Sequence, residues 1–410
     1  MGRFIFAFII LALSVAGCRP GAPDGSKQVQ LLKSWLEEES ASGSSLDVQP
    51  FAHKELSKED AIEAAALIHD HLNQKLKVEY SDQWNEGTLA LGNKELKFQY
   101  KKFGEKPAGG WSLYISMHGG GGTTQEMNDR QWQNQLGLYR PKEGIYMAPR
   151  APDNSWNMWH QYHVDSLFGL FIQLADVFEG INTNRVYLTG YSAGGDGTYQ
   201  LAPRMADRLA AAAMMAGHPN DASPVSLRNL PFALHMGALD AAYNRNQEAA
   251  EWGNMLDELH INDPGGYVHD VQIHEGLGHW MERRDTVAIE WMAQFERNPY
   301  PEKVVWNQNG KVHSKFYWLG LPEENTENNA VLVVSRKGQD IHIEQAEHVN
   351  RLNIFLNDEM VDLNQEVRVH YKGSVIYNAK PTRTVAALWN AMNGRNDREQ
   401  LFFSQIEVSL

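Results

Sequence analysis

The stretch Arg185-Val186-Tyr187-Leu188-Thr189-Gly190-Tyr191-Ser192-Ala193-Gly194-Gly195 decides the reading of the whole chain. Its first half, Arg185–Thr189, is rich in the β-branched and aromatic residues that form buried strands. Its second half is G-x-S-x-G, and helical spacing follows over about 195–209. A strand that turns sharply into a helix throws the central side chain out of the sheet, and small residues two positions either side let backbones pass closely. The helix N-terminus brings unpaired N–H groups and a positive dipole end beside Ser192. The competing reading, a glycine-rich turn with a capping serine, does not account for a strand before and a helix after.

A second signal lies upstream. His118-Gly119-Gly120-Gly121-Gly122 follows the apolar run Trp111–Met117. Acyl transfer builds negative charge on a carbonyl oxygen, and backbone N–H groups aimed at it stabilise the transition state by about 3 kcal/mol each. Glycines allow that approach without a Cβ clash, so the expected donors are Ala193 N–H with one from Gly119 or Gly120. A phosphate-cradling loop is the alternative, but no Lys-Ser/Thr follows and the G-x-G-x-x-G helix context is missing.

A serine hydroxyl needs a base to take its proton and an acid to orient that base, in chain order Ser…Asp…His for this architecture. Gly237-Ala238-Leu239-Asp240 follows the strand-like Pro231–Met236 and offers Asp240 as the acid; Asp263 and Asp270 are alternatives. Gly276-Leu277-Gly278-His279-Trp280 follows the next strand and offers His279 as the base. His274 competes, from a strand end where packed histidines are common. Asp196 reads as a first-turn helix carboxylate.

Together these parts resemble the α/β-hydrolase superfamily, and within it secreted esterases of the polyhydroxybutyrate depolymerase, feruloyl esterase and acetylxylan esterase type, which share Ser-Ala-Gly-Gly at the nucleophile. The resemblance covers about residues 85–297. It implies a mainly parallel sheet flanked by helices, an ester-cleaving serine hydrolase with Ser192, His279 and Asp240 in catalytic roles, and an oxyanion hole from the His118–Gly122 loop and Ala193. No cofactor is implied. Prolyl-oligopeptidase-like peptidases share the core and a similar G-x-S-x-G-G, but they usually carry a large N-terminal propeller, and the short stretch ahead of the first core strand here fits only their propeller-free relatives. A binding protein that keeps the scaffold without activity is the reading from a different class.

Trp156-Asn157-Met158-Trp159-His160-Gln161-Tyr162-His163 is dense in aromatic and polar residues, as pocket walls are. Tyr191, Trp156, Trp159, His160 and Trp280 are therefore candidate substrate-binding residues, against the reading of a packed structural loop. Asn128-Asp129-Arg130-Gln131-Trp132 is a further candidate for the cleft. His160, His163 and Asp165 could be read as metal ligands, but the proposed chemistry requires no metal.

The 410 residues carry 37 Lys+Arg and 51 Asp+Glu, a net charge of −14 that disfavours nucleic acid as a partner. Hydrophobic residues make up 42%, which is ordinary for a packed globule. Met1-Gly2-Arg3 and the apolar run Phe4–Leu13 read as a signal peptide, too short to span a bilayer. Val15-Ala16-Gly17-Cys18 resembles the lipobox of bacterial lipoproteins. That resemblance implies cleavage before Cys18, its lipidation, and export to the periplasmic or cell-surface side of a membrane. With Cys18, the chain's single cysteine, modified, no free thiol remains. The expected organisation is a signal peptide over 1–17, a tether and short helix over 18–52, a catalytic domain over 53–300 and a smaller β-rich domain over 301–410. Helices are expected near 58–76, 164–179, 243–261, 284–296 and 383–393, and strands between them. In the last domain Lys372-Gly373 reads as a hairpin turn, and Trp306, Phe316, Tyr317 and Trp318 as core rather than a sugar platform.

Overall fold

Eight strands carry the Gly190–Gly195 turn in the computed structural model, which describes residues 26–42, 45–308, 311, 313–322 and 329–410. The expected signal segment and Cys18 lie outside these residues. In chain order the first part comprises α1 (Lys27–Ser42), α2 (Lys58–Glu86), β1 (Thr88–Leu91), β2 (Lys94–Phe103), β3 (Trp111–Met117), α3 (Gln125–Gln135) and β4 (Gly144–Arg150). It continues through α4 (Tyr162–Glu179), β5 (Ile181–Tyr191), α5 (Ala193–Arg204), β6 (Ala211–Met215), β7 (Phe232–Gly237), α6 (Arg245–Asn262), β8 (His269–His274) and α7 (Val287–Met292). The sheet order is β1-β2-β4-β3-β5-β6-β7-β8. Strands β3 to β8 run parallel, whereas β2 is antiparallel to both β1 and β4. This is the mainly parallel, helix-flanked sheet that the resemblance implies.

Every residue of β3, β4, β6 and β7 is buried. Their sequences are near-continuous apolar runs because helices cover both faces of a parallel sheet. Strand β2, one in from the edge, and the edge strand β8 lack that cover and keep exposed residues, among them Lys97 and Gln272.

Helix α2 is longer than its expected span near 58–76. It runs to Glu86 rather than about 76, and Gly87 ends it in the left-handed conformation at φ 70°. The extra turns place Trp84 against Phe98, Phe171 and Phe178, with ring centroids 5.0–5.4 Å apart. Its buried stripe is Ala61, Ala64, Ala65 and Ile68, while Ile62 is 53% exposed. Ser57 caps the helix, its Oγ accepting from Asp60 N–H at 3.0 Å, while the Asp60 carboxylate accepts from Ser26 N–H at 3.3 Å instead of returning to the Ser57 backbone.

Beyond Pro301 the chain forms β9 (Lys303–Asn307), β10 (Lys315–Phe316), β11 (Leu319–Gly320), β12 (Val331–Lys337) and β13 (Asp340–Glu347). These are followed by β14 (Arg351–Leu356), β15 (Val367–Tyr371), β16 (Ser374–Ala379), α8 (Val385–Met392) and β17 (Ser404–Ser409). One sheet has the order β10-β11-β14-β17 and the other β16-β15-β13-β12-β9. Lys372 and Gly373 both take positive φ, 47° and 78°, in the two-residue turn between β15 and β16.

The hydrophobic core is continuous across these parts, from Leu32 and Ile68 through Leu188 to Trp318 and Leu388. Trp306, Phe316, Tyr317 and Trp318 are all buried in it. Tyr317 Oη donates to Ala206 O at 3.0 Å and Trp318 Nε1 to Pro301 O at 2.9 Å, so their polar ends are satisfied where their rings are buried. Trp35 on α1 meets Trp389 on α8 edge to face at 6.0 Å, which ties the first helix to the last.

Candidate active site

Ser192 sits between β5 and α5 at φ 58°, ψ −120°, a conformation that L-residues adopt only under constraint. The constraint is close backbone contact. A Cβ on Gly190 would lie 2.1 Å from Gly194 O, one on Gly194 would lie 2.1 Å from Met117 O, and one on Gly195 would lie 2.5 Å from Met215 O. Only glycine fits these positions, which is the physical content of G-x-S-x-G-G. Ser192 N–H donates to Met215 O at 2.9 Å and Ser192 O accepts from Asp196 N–H at 2.9 Å, so both of its backbone polar groups are paired.

His279 Nε2 lies 2.9 Å from Ser192 Oγ, and His279 Nδ1 lies 2.6 Å from Asp240 Oδ2. An ionised carboxylate can only accept, so Nδ1 carries the proton and Nε2 is free to accept from the serine hydroxyl. Asp240 is buried at the end of β7, whereas the His279 side chain is 43% exposed at the mouth of the site. The two loops touch through glycine: a Cβ on Gly237 would lie 2.1 Å from Gly278 O. Asn246 ties the acid's loop down, its N–H donating to Asp240 O at 3.1 Å and its Nδ2 to Ala238 O at 2.9 Å. The rivals go elsewhere. Asp263 is bound to Arg228, Asp270 accepts from Gln272, and His274 Nε2 lies 3.1 Å from His235 Nδ1 in a pair whose basicity burial lowers.

The glycine loop after β3 closes over Ser192. Gly120 and Ala193 line the cavity beside Ser192, and neither N–H has an acceptor among the described residues. Gly119 lies alongside, its position for a Cβ 3.1 Å from Ser192 Cβ, and its N–H is likewise unpaired among the described residues. Gly121 N–H is taken, donating to Asn128 Oδ1 at 2.9 Å. His118 clamps the loop from within: Ala151 N–H donates to its Nε2 at 3.1 Å, so Nδ1 is the protonated nitrogen and donates to Gly119 O at 2.6 Å. Burial pushes its pKa down to about 3, which keeps that ring neutral at ordinary pH.

A cavity of about 320 Å³ opens above Ser192, walled by Gly120, Gly121, Trp156, Tyr243 and Arg245, with Asp196, His218 and Asn220 on another side. The Arg245 guanidinium lies 4.9 Å over the Tyr243 ring, and its Nη1 lies 3.8 Å from the second Asp240 oxygen. Burial raises the pKa of Asp196, whose Oδ1 accepts from His218 N–H at 2.7 Å. A larger adjoining groove of about 700 Å³ shares Trp156 and Asn220 with this cavity and adds His160, Gln161, Tyr162 and His163.

Of the expected wall residues, Trp156 lines the cavity and is 61% exposed. Three others do different work. Trp159 is fully buried and donates from Nε1 to His118 O at 2.8 Å, so it supports the glycine loop instead of meeting a ligand. Tyr191 is buried too; its hydroxyl donates to His279 O at 2.6 Å and accepts from Met281 N–H at 3.1 Å, which holds the histidine loop. Trp280 is 53% exposed against the Tyr191 ring and does not line the cavity. His160 lines the adjoining groove only. Asp165 pairs with Arg204 at 2.9 Å, and among the described residues no cluster with His160 and His163 is arranged to hold a metal.

Asn128–Trp132, a candidate for the cleft, belongs to α3, a helix that apolar periodicity does not signal, and does not line the cavity. Its start is signalled by Thr124, whose Oγ1 accepts from Met127 N–H at 3.3 Å. Arg245, His218 and Asn220 carry no motif and were not foreseen.

No family model matches the sequence, and no curated protein matches it. Solved structures similar to this chain include a thermostable esterase, 20% identical with a TM-score of 0.40 over 52% of this chain and 63% of that one. That match spans less than two thirds of the esterase's length. Others are a Bacillus cereus carboxylesterase, 16% identical with a TM-score of 0.38 over 53% of this chain and 98% of that one, and a putative dipeptidyl aminopeptidase IV from Bacteroides ovatus, 12% identical with a TM-score of 0.38 over 51% and 34%.

The glycine contacts generate a stability test. Gly194→Ala should lower unfolding free energy by about 3 kcal/mol or more in urea titration, because a methyl group cannot coexist with the Met117 carbonyl. An unchanged midpoint would mean that the close approach does not exist.

Proposed function

We propose that this chain is an exported serine hydrolase that cleaves carboxylic esters. One observation carries the reading: an unbroken hydrogen-bonded line from Asp240 through His279 to Ser192, ending in a cavity edged by the Gly120 and Ala193 N–H groups, which have no acceptor among the described residues. His279 Nε2 takes the proton of Ser192 Oγ as that oxygen bonds to the ester carbonyl carbon. The carbonyl oxygen becomes an oxyanion facing the Gly120 and Ala193 N–H groups. Collapse breaks the bond to the leaving alkoxide, which takes the proton from the imidazolium and departs as an alcohol. Water then gives a proton to His279 and attacks the acyl-serine, and the acid leaves as Ser192 recovers its proton. Asp240 stays ionised and keeps the imidazole in the productive tautomer throughout.

The cavity of about 320 Å³ suits a small acyl or alcohol part, and the adjoining groove gives room for a larger remainder, as in an ester borne on a polymer. The exposed Trp156 stands between the two spaces.

Wild-type protein should react with a fluorophosphonate probe at Ser192 and hydrolyse p-nitrophenyl esters. Ser192→Ala and His279→Ala should each lower kcat by about 10⁴-fold or more, while His274→Ala retains most of the rate. Loss of activity in His274→Ala but not in His279→Ala would reassign the base. Folded wild type that takes no probe would favour a binding protein on a hydrolase scaffold. Peptide amides cleaved as fast as esters would favour a peptidase.

We propose further that a diacylglyceryl group on Cys18 anchors the chain to a bacterial membrane. Two acyl chains give stable attachment where one is marginal, and the polar sequence between Cys18 and α1, from Arg19 to Gly25, is proposed as the tether. Mass spectrometry of the mature N-terminus should find a lipid-modified Cys18. A cleaved, unmodified terminus would contradict the anchor.

A further inference from the structure

A second cavity, of about 460 Å³, lies where α4 and α5 meet β10 and the segment after α8. It has no lining residue in common with the serine cavity. Five cationic side chains and two carboxylates line it, an excess of three positive charges in a chain whose net charge is −14.

Both carboxylates are already engaged. Asp165 pairs with Arg204 at 2.9 Å, and Asp207 pairs with Arg395. Among the described residues Lys311 Nζ finds only neutral acceptors, Tyr162 O at 2.7 Å and Ser166 Oγ at 3.0 Å, and Lys315 Nζ donates to Asn390 O. The Arg208 guanidinium makes no hydrogen bond or ion pair at contact distance among the described residues, although Asp207 and Asp397 lie near enough to attract it. Half-buried cations normally sit opposite anions, because desolvation without pairing is costly. Here Arg208 and Lys315 border a space large enough for a small molecule without a paired carboxylate among the described residues, and Arg395, bound to Asp207, stands beside them with Nη1 also donating to Gln400 Oε1 at 3.0 Å and Nη2 to Lys315 O at 2.8 Å. Burial, with Arg395 and Arg208 close by, pushes the Lys315 ammonium down to about 7. Burial, with Arg395 nearby, likewise brings Arg208 down to about 10.

We propose that this cavity binds a compact dianion, a phosphate or sulfate group either free or as a monoester, held by Arg208, Lys315 and Arg395. Guanidinium forks and an ammonium match tetrahedral oxyanions by multiple charge-assisted hydrogen bonds. The site spans two parts of the chain, since Arg208 follows α5 whereas Lys315 and Arg395 belong to the β-rich region. An occupant therefore braces their junction and stabilises the fold by mass action.

Thermal unfolding of the full chain, with phosphate, sulfate or chloride added at matched ionic strength, tests this. Phosphate and sulfate should raise the midpoint saturably by several degrees, and chloride should not. Lys315→Met should raise the midpoint in chloride, since it removes an unbalanced charge, and should lose most of the phosphate-dependent rise. Arg208→Gln should lose that rise as well, and it decides the matter if Lys315→Met does not fold. A greater effect of glycerol 3-phosphate than of inorganic phosphate identifies a monoester as occupant, and an equal effect identifies the free anion. Equal rises in wild type and both variants, or no rise up to about 50 mM anion, would overturn the proposal.

Discussion

Everything in the site depends on a single strained residue. Ser192 holds φ 58°, ψ −120° at the point where β5 gives way to α5. Such a conformation costs on the order of 1–3 kcal/mol and persists only where neighbours over-determine it. The neighbours here are main-chain atoms of three strands: Met117 at the end of β3, Gly190 within β5 and Met215 at the end of β6. They come within reach because Gly190, Gly194 and Gly195 carry no side chain. Parallel pairing of β3, β5 and β6 brings those strand ends together, so sheet topology and serine geometry are one constraint.

Around that fixed point, loops at the ends of β3, β7 and β8 bring the other groups to Ser192, and each loop is held by residues that never face the cavity. His118, Trp159 and Asn128 hold the glycine loop. Asn246 holds the acid's loop, and Tyr191 holds that of the histidine. These are buried or partly buried polar groups with satisfied hydrogen bonds, and they give loops the positional accuracy that acyl transfer demands.

That division explains what could be read from the residues alone. Buried strands such as β3 and β6 announce themselves as apolar runs, and Ser192 and Asp240 are legible because each stands just past such a run, whereas His279 follows the exposed edge strand β8 and is legible from its glycine-rich loop. Strand β13 is weakly signalled because Ile341, Ile343 and Ala346 are its only apolar residues among polar and charged neighbours, although the two isoleucines are buried. Helix α3 is weakly signalled for a similar reason, since it offers few apolar residues to a core. Trp159 and Tyr191 resemble pocket residues in sequence, because an aromatic ring with a polar end serves equally to meet a ligand or to tether a loop. Only burial separates the two uses. Arg245 is invisible without coordinates, for nothing in Ala242-Tyr243-Asn244-Arg245 signals that the chain folds back over Asp240.

The most direct measurement is a crystal structure of the protein after reaction with an alkyl phosphonate ester, a mimic of the tetrahedral intermediate. The account predicts phosphorus bonded to Ser192 Oγ, with the phosphoryl oxygen about 2.7–3.1 Å from the Ala193 and Gly120 nitrogens. A phosphoryl oxygen turned away from both nitrogens, or an adduct on any other residue, would contradict it.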